Sequence, residues 1–208
     1  MTALPLDTAS LLAIAAALGW ASGLRLYAVV FLTGLAGWLG WVELPAGLRL
    51  LQSPVMLGAS GFMLFVEFFA DKIPGLDTLW DAVHTLVRIP AGAALAASVF
   101  GGTDQASWAM AAALMGGTLA ATSHVAKATT RAALNTSPEP FSNVAMSLLG
   151  DSVVPASLWL SWTHPVAFFA ALAVALVLMI VAIVVFARFL RALARRISGW
   201  FGAGQPST

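Results

Sequence analysis

From Val166 to Phe186 the chain carries no charged side chain. At 1.5 Å per residue such a run crosses a hydrocarbon layer of about 30 Å as a single helix. One membrane-spanning helix therefore constrains everything else, because the remaining segments must also be compatible with a bilayer. They are: of 208 residues 60% are hydrophobic and 9% charged, roughly a third of the charged share of a soluble domain. The apolar stretches are too long for half-buried helices of a water-soluble fold, and the short alternating segments of a barrel are missing. The expected class is an all-α membrane protein.

Six crossings are expected: Thr8 to Trp41, Pro54 to Phe69, Leu76 to Phe100, Trp108 to Ala128, Asn143 to Trp162 and Pro165 to Arg188. The first would be about 50 Å long if straight, nearly twice what a bilayer needs. It holds Ser22-Gly23-Leu24-Arg25 at its middle, so a break is expected there. The third is cleanly apolar only over Ala91 to Phe100, and reads as a tilted span or as an interfacial helix leading into a half-span. No Lys or Arg precedes the apolar run Leu11 to Leu18, which is therefore read as a retained helix rather than a signal peptide. The chain divides into one membrane domain over residues 1–190 and a basic cytoplasmic tail over 191–208, with halves 8–102 and 107–190 as candidate 3+3 inverted repeats.

Charge is informative by position. With both termini inside, Lys72, Arg88, Lys127, Arg131 and Arg188 to Arg196 fall at or near the cytoplasmic side, while Arg49, Glu43, Asp104 and His164 fall outside. Trp38, Trp41, Trp108, Trp159 and Trp162 suit an aromatic belt at that outer interface. A net charge of +1 without an aromatic-interleaved basic patch gives no sign of a nucleic-acid partner. The chain has no cysteine, which excludes thiol chemistry and thiolate metal sites. The partners expected are the bilayer, a small solute, ion or lipid head group, and a second copy of the chain.

Polar residues inside spans are expensive and mark sites. Asp77, Asp81, His84 and Arg88 share an arc of about 60° on one helix, and His124, Lys127, Arg131 and Asn135 one of about 80° on another. The two stripes are complementary, and each would strand charges at the hydrocarbon boundary without the other. They are expected to form one polar site, joined by Arg25 in the first break and by Glu67, Asp71, Lys72, Asn143 and Asp151. Small-residue runs at Gly34-Leu35-Ala36-Gly37, Ala91-Gly92-Ala93-Ala94 and Gly116-Gly117 are read as tight helix packing alone.

These blocks, Ser22-Gly23-Leu24-Arg25-Leu26-Tyr27, Asp71-Lys72-Ile73-Pro74-Gly75-Leu76-Asp77, His84-Thr85, Arg88-Ile89-Pro90-Ala91-Gly92, Ser123-His124, Lys127-Ala128 and Asn135 to Pro140 with Ser142-Asn143, resemble the bacterial membrane family catalogued as domain of unknown function 4126. The resemblance runs from about Leu11 to Val185 and implies an integral protein of the bacterial inner membrane without a settled activity.

The leading functional expectation is a transporter or channel-like protein for an unidentified small solute or ion, for which the cationic lining suggests an anion, passing through a cavity lined by Arg25, His124, Lys127 and Arg131, with the carboxylates as charge partners or proton carriers. There is no Walker-type loop, so ATP is not the chain's own energy source. The rivals are an enzyme acting on a lipid head group with His84 or His124 as base, a lipid flippase, and a structural subunit of a membrane complex. No cofactor is expected, although Glu67, Asp71, Asp77, Asp81 and His84 offer ligands for Mg, Mn or Zn. No zinc-protease motif or nucleophile elbow occurs.

Overall fold

A computed structural model describes residues 7–73, 75–101, 106–136 and 141–202, with the side chains of Asn143, Ile197 and residues 199–202 outside the description. The described residues are helical throughout and contain no strand: α1 (Thr8–Trp38), a 3-10 segment (Ala46–Gln52), α2 (Pro54–Ala70), α3 (Leu76–Ser98), α4 (Ala106–Leu134), α5 (Phe141–Thr163) and α6 (Pro165–Gly202). Local chemistry sets several boundaries. Asp7 accepts the Ser10 amide at 2.8 Å to start α1, and Ser53 caps α2 ahead of Pro54. Gly75, at φ +87°, supplies the left-handed turn between α2 and α3 that a side chain would resist.

α1 is broken where its sequence suggested. Arg25 leaves helical geometry (φ −149°, ψ 87°), and the chain folds back on itself there. The arm before Arg25 (α1a) runs parallel to α4, with Gly19 against Gly116, Gly23 against Ala120, and Ser123 Oγ donating to the Trp20 carbonyl at 2.6 Å. It runs antiparallel to α3, because α3 is antiparallel to α4, with Gly92 against Ala120 and Ala96 against Gly116, and Gly92 also lies beside the Gly19 carbonyl. The arm after Arg25 (α1b) runs antiparallel to α2, with Phe31 against Gly61 and Gly34 against Leu51 and Leu57. The 3-10 segment that leads into α2, bent from it by 69°, packs Gly47 on Ser98 at the end of α3. Gly34 therefore lies near the same end of the bundle as Ser98, which a straight α1 could not reach, because residues 13 and 34 would then stand about 31 Å apart. α1 is a helical hairpin with Arg25 at its tip.

That geometry defines two ends. Thr8, Trp38, Trp41, the 3-10 segment, Trp108 stacked on Phe100, and the α5–α6 corner share one end. The Arg25 tip, the α2–α3 turn, the end of α4 and the start of α5 lie toward the other, and α6 runs on past it. α1b, α2 and α3 run opposite in direction to α4, α5 and α6. This reversal returns α1b toward the end of the bundle where α1a begins, so Thr8 and the end of α6 lie toward opposite ends. Residue 190 lies within a continuous α6, and α3 is one helix through Pro90.

Packing is inside out compared with a water-soluble protein. On α3, Leu79, Leu86 and Val83 are exposed, with Leu86 at 82%, whereas Asp77 and Arg88 are at 0%. Only lipid makes that arrangement favourable, since apolar side chains lose nothing there and charges must turn inward. Four helices (α1, α4, α5 and α6) are long and apolar enough to cross a membrane, and α2 with its 3-10 segment makes a fifth. α1a is the centre of the bundle, with every residue from Ala13 to Gly23 buried. Its Ala and Gly residues let α3 and α4 approach so closely that a Cβ on Gly19 would overlap the Gly116 backbone.

Candidate functional site

The α1 reversal frees carbonyls at the end of α1a, and a cation from α4 takes up one of them. Lys127 Nζ donates to the Leu24 carbonyl at 3.0 Å, placing positive charge where the helix C-terminus is negative. Arg25 points away from the helix it ends. Its Nε meets Asp151 at 2.9 Å and its Nη2 meets Asp71 at 3.2 Å and Ser147 Oγ at 2.8 Å.

Asp71, which closes α2, is the hub. Besides Arg25 it binds Lys127 at 3.0 Å and Arg131 at 2.8 Å, three cations on one fully buried carboxylate. Asp81 on α3 meets Arg88 at 2.6 Å, Lys127 at 3.2 Å and Arg131 at 3.7 Å. Arg88 continues to Glu67 at 2.7 Å, and Lys72 closes the other edge on Asp151 at 3.2 Å, its ammonium over the Phe68 ring. Asp77 lies 3.9 Å from Arg131 and accepts from Asn135 at 3.0 Å and from the Gly75 and Thr78 amides, so it also fastens the α2–α3 turn.

The two sequence stripes thus meet, and with Arg25, Glu67, Asp71, Lys72 and Asp151 they form one continuous network. It holds five cations (Arg25, Lys72, Arg88, Lys127, Arg131) and five carboxylates (Glu67, Asp71, Asp77, Asp81, Asp151) and is neutral overall. Asn143 lies outside the described side chains, as do Pro74 and residues 137–140 of the sequence blocks.

The histidines flank the network. His84 Nδ1 faces the Trp80 carbonyl at 2.8 Å, which makes Nε2 the acceptor for Tyr27 Oη at 3.2 Å, and the ring stacks on Trp80. His124 Nδ1 faces Arg88 Nη1, a donor, at 3.3 Å, so its Nε2–H donates to Thr85 Oγ1 at 2.7 Å, whose own hydrogen goes to the Asp81 carbonyl. Both imidazole lone pairs are therefore engaged. Among the described residues no three His, Asp or Glu side chains gather as a metal would require. The carboxylates proposed as ligands face arginines and lysines instead.

A cavity of about 350 Å³ opens beside the hairpin tip, between α4, α5 and α6. Arg25, Asp71, Lys127 and Arg131 form its polar side, and Leu24, Leu149, Val153, Leu178 and Met179 are among its apolar walls. His124, expected to line it, does not: it sits on the α3 face of α4, against Thr85 and Arg88. Ser147 was missed from the sequence. Its one signal was its place four residues before Asp151, on the same helical face.

The fold and site define a helical membrane protein whose ionisable side chains turn inward into a neutral ion-pair network at the tip of a helical hairpin. The chain belongs to the family described as Domain of unknown function (DUF4126), whose model matches residues 12–185. No curated protein and no solved structure matches it.

Proposed function

We propose that the protein is a transporter-like membrane protein in which the Arg25 hairpin tip, the network and the adjoining cavity form a substrate site within the bilayer. The observation that carries this reading is the reversal of α1 at Arg25. A chain that needed only an anchor would not break its central helix and assemble ten charges there, since each one left unpaired in hydrocarbon costs at least about 2.5 kcal/mol. Broken helices whose ends hold ionic groups are working parts of secondary transporters, there near the midplane and here toward the charged end of the bundle. The opposed directions of α1b–α2–α3 and α4–α5–α6 suit an inverted repeat. Ser22 to Arg25 and Ser123 to Lys127 face each other on parallel arms of α1a and α4.

In the membrane, the charged end with Lys72, Arg131 and the α6 arginines is the cytoplasmic side. With α1 entering and returning as a hairpin on the outer side, and α3 crossing beside it with its charged face turned inward, α2 to α6 would leave Thr8 outside and the tail inside. Head-group hydrolysis is disfavoured by the engaged lone pairs of His84 and His124, whereas the apolar cavity walls favour lipid flipping as the second reading. The test is solute-driven flux into proteoliposomes, scored by current and internal pH across carboxylates, phosphate esters and amino acids. Flux with the wild type and none with folded Asp71→Asn is expected. Identical behaviour of the two across the panel would overturn the reading.

A further inference from the structure

α5 is held unevenly along its length. Its second half belongs to the bundle, with Val154 and Leu158 in the apolar core and Ser161 fully buried. Before Gly150, Ser147 is the one buried side chain among the described residues, and its partners are cations. Arg25 Nη2 donates to its Oγ at 2.8 Å and to its carbonyl at 3.2 Å, and Lys72 Nζ donates to the same Oγ at 3.3 Å. One turn on, Asp151 meets Arg25 Nε at 2.9 Å and Lys72 Nζ at 3.2 Å. These contacts form the wetted edge of the network, where the Asp151 and Lys72 side chains are 22% and 19% exposed. α5 hardly touches α4, and the cavity fills the gap between them, with Ser147, Gly150 and Val153 lining it from α5. Pro155 sits between the two halves of the helix. It has no N–H, so the Asp151 carbonyl lacks the helical bond that would stiffen this turn, and helices bend at such positions.

We propose that residues 141–151 are a gate over the cavity, hinged at Pro155 and latched to Arg25 and Lys72 through Asp151 and Ser147. Releasing the latch lets this half of α5 swing away from the hairpin tip and opens the cavity at the charged end, while the half beyond Pro155 stays in the core. The latch can exchange its ion pairs for water at small cost because it is partly wetted, which the buried Asp71 cannot do. The inference rests on the cavity as the proposed substrate site and adds what controls entry to it. The motion itself is read as a distance with no solute present, so failure of the gate and failure of the flux test are seen separately.

The experiment is double electron–electron resonance on the full chain in nanodiscs. One spin label is placed at the exposed Leu79 of α3 and the other on either side of the hinge, at the exposed Phe141 or Trp159. Phe141 begins the helix about 21 Å before Pro155, so a change of about 20° in the bend moves it by about 7 Å. In Asp151→Asn the Phe141–Leu79 distribution should gain a component shifted by about 4–7 Å and populated at least about fivefold more than in the parent chain, with the Trp159–Leu79 distribution unchanged. Lys72→Gln, which takes the second cation from Asp151 and Ser147, should act in the same direction and serves if the first variant folds poorly. Adding Pro155→Ala to either variant returns an N–H to the Asp151 carbonyl and should reduce the shifted component at least about threefold. Accessibility gives a second readout. A cysteine at Ala126, 4% exposed on the α4 wall of the cavity, should react with sulfonatoethyl methanethiosulfonate at least about tenfold faster once the latch is broken, whereas one at Ala112, 1% exposed and outside the cavity, should not. Unchanged Phe141–Leu79 distances in both folded variants, equal shifts at Phe141 and Trp159, a shifted component indifferent to Pro155→Ala, or equal acceleration at the two cysteines would overturn the proposal.

Discussion

Asp71→Asn is the substitution to which the network should be most sensitive. The carboxylate meets Arg25 at 3.2 Å, Lys127 at 3.0 Å and Arg131 at 2.8 Å. At an effective dielectric of about 20 each such pair is worth roughly 5 kcal/mol in Coulomb energy. That gross figure is not lost in full, because desolvation opposes it and because Arg25 keeps Asp151 while Lys127 and Arg131 keep Asp81. Breaking a buried pair by removing one partner typically costs about 3–5 kcal/mol, and this is the loss expected. Asp151→Asn is the control. Its side chain is 22% exposed and it meets two cations rather than three, each of which keeps another partner, so the cost should be smaller, about 1–2 kcal/mol. The assay is equilibrium unfolding in mixed micelles followed by tryptophan fluorescence. Adding Lys127→Met to Asp71→Asn restores neutrality, so the double variant should lose less than the sum of the singles by about 0.5–3 kcal/mol. Equal losses for Asp71→Asn and Asp151→Asn, or strict additivity in the double variant, would refute the idea of one coupled network.

Three further outcomes follow from the packing and topology. Gly19→Ala places a Cβ on the Gly116 backbone and should destabilise by about 1–3 kcal/mol or more, whereas Gly58→Ala, which meets nothing within 4 Å, should be tolerated in the same unfolding assay. The chain has no cysteine, so single cysteines at Thr8 and Ser198 can be labelled with an impermeant maleimide in oriented membranes; opposite sidedness is expected, and labelling from one side would reject the five-crossing arrangement. Replacing Arg188, Arg191, Arg195 and Arg196 by Gln should weaken association of the α6 extension with anionic vesicles by about 1 kcal/mol per residue, read by a salt-dependent fluorescence titration.

The helices and the pairing of the stripes were legible in the sequence because both follow from local periodicity and lipid energetics. Asp77, Asp81, His84 and Arg88 share a helix face, and the cost of leaving them unpaired pointed to Lys127 and Arg131. The break near Arg25 was legible for a similar reason, namely a charge and a glycine halfway along an overlong apolar run. What periodicity does not carry is direction after a break. A bend of a few degrees and a full reversal leave the same residues, so the return of α1b toward the start of α1a shows only in the contacts of Gly34 and Gly47. The wall on which His124 sits was hidden likewise. It shares an arc with Lys127 and Arg131, but that arc is wide enough to face both α3 and the cavity. The free Nη1 of Arg25 depends on where Asp71 from the end of α2 and Ser147 and Asp151 from α5 converge, and two segments so far apart in sequence give no local signal.

The most direct test of the account is the distance across the hairpin, measured by double electron–electron resonance between spin labels at Ser10 and Trp38. In a continuous helix these positions would be about 42 Å apart. If α1 folds back at Arg25, both labels lie at the tryptophan end on neighbouring arms with an interaxial spacing of roughly 8–10 Å, and the distribution should peak below about 25 Å once label length is added. A peak near 42 Å would contradict the re-entrant hairpin and with it the placement of the charged network at its tip.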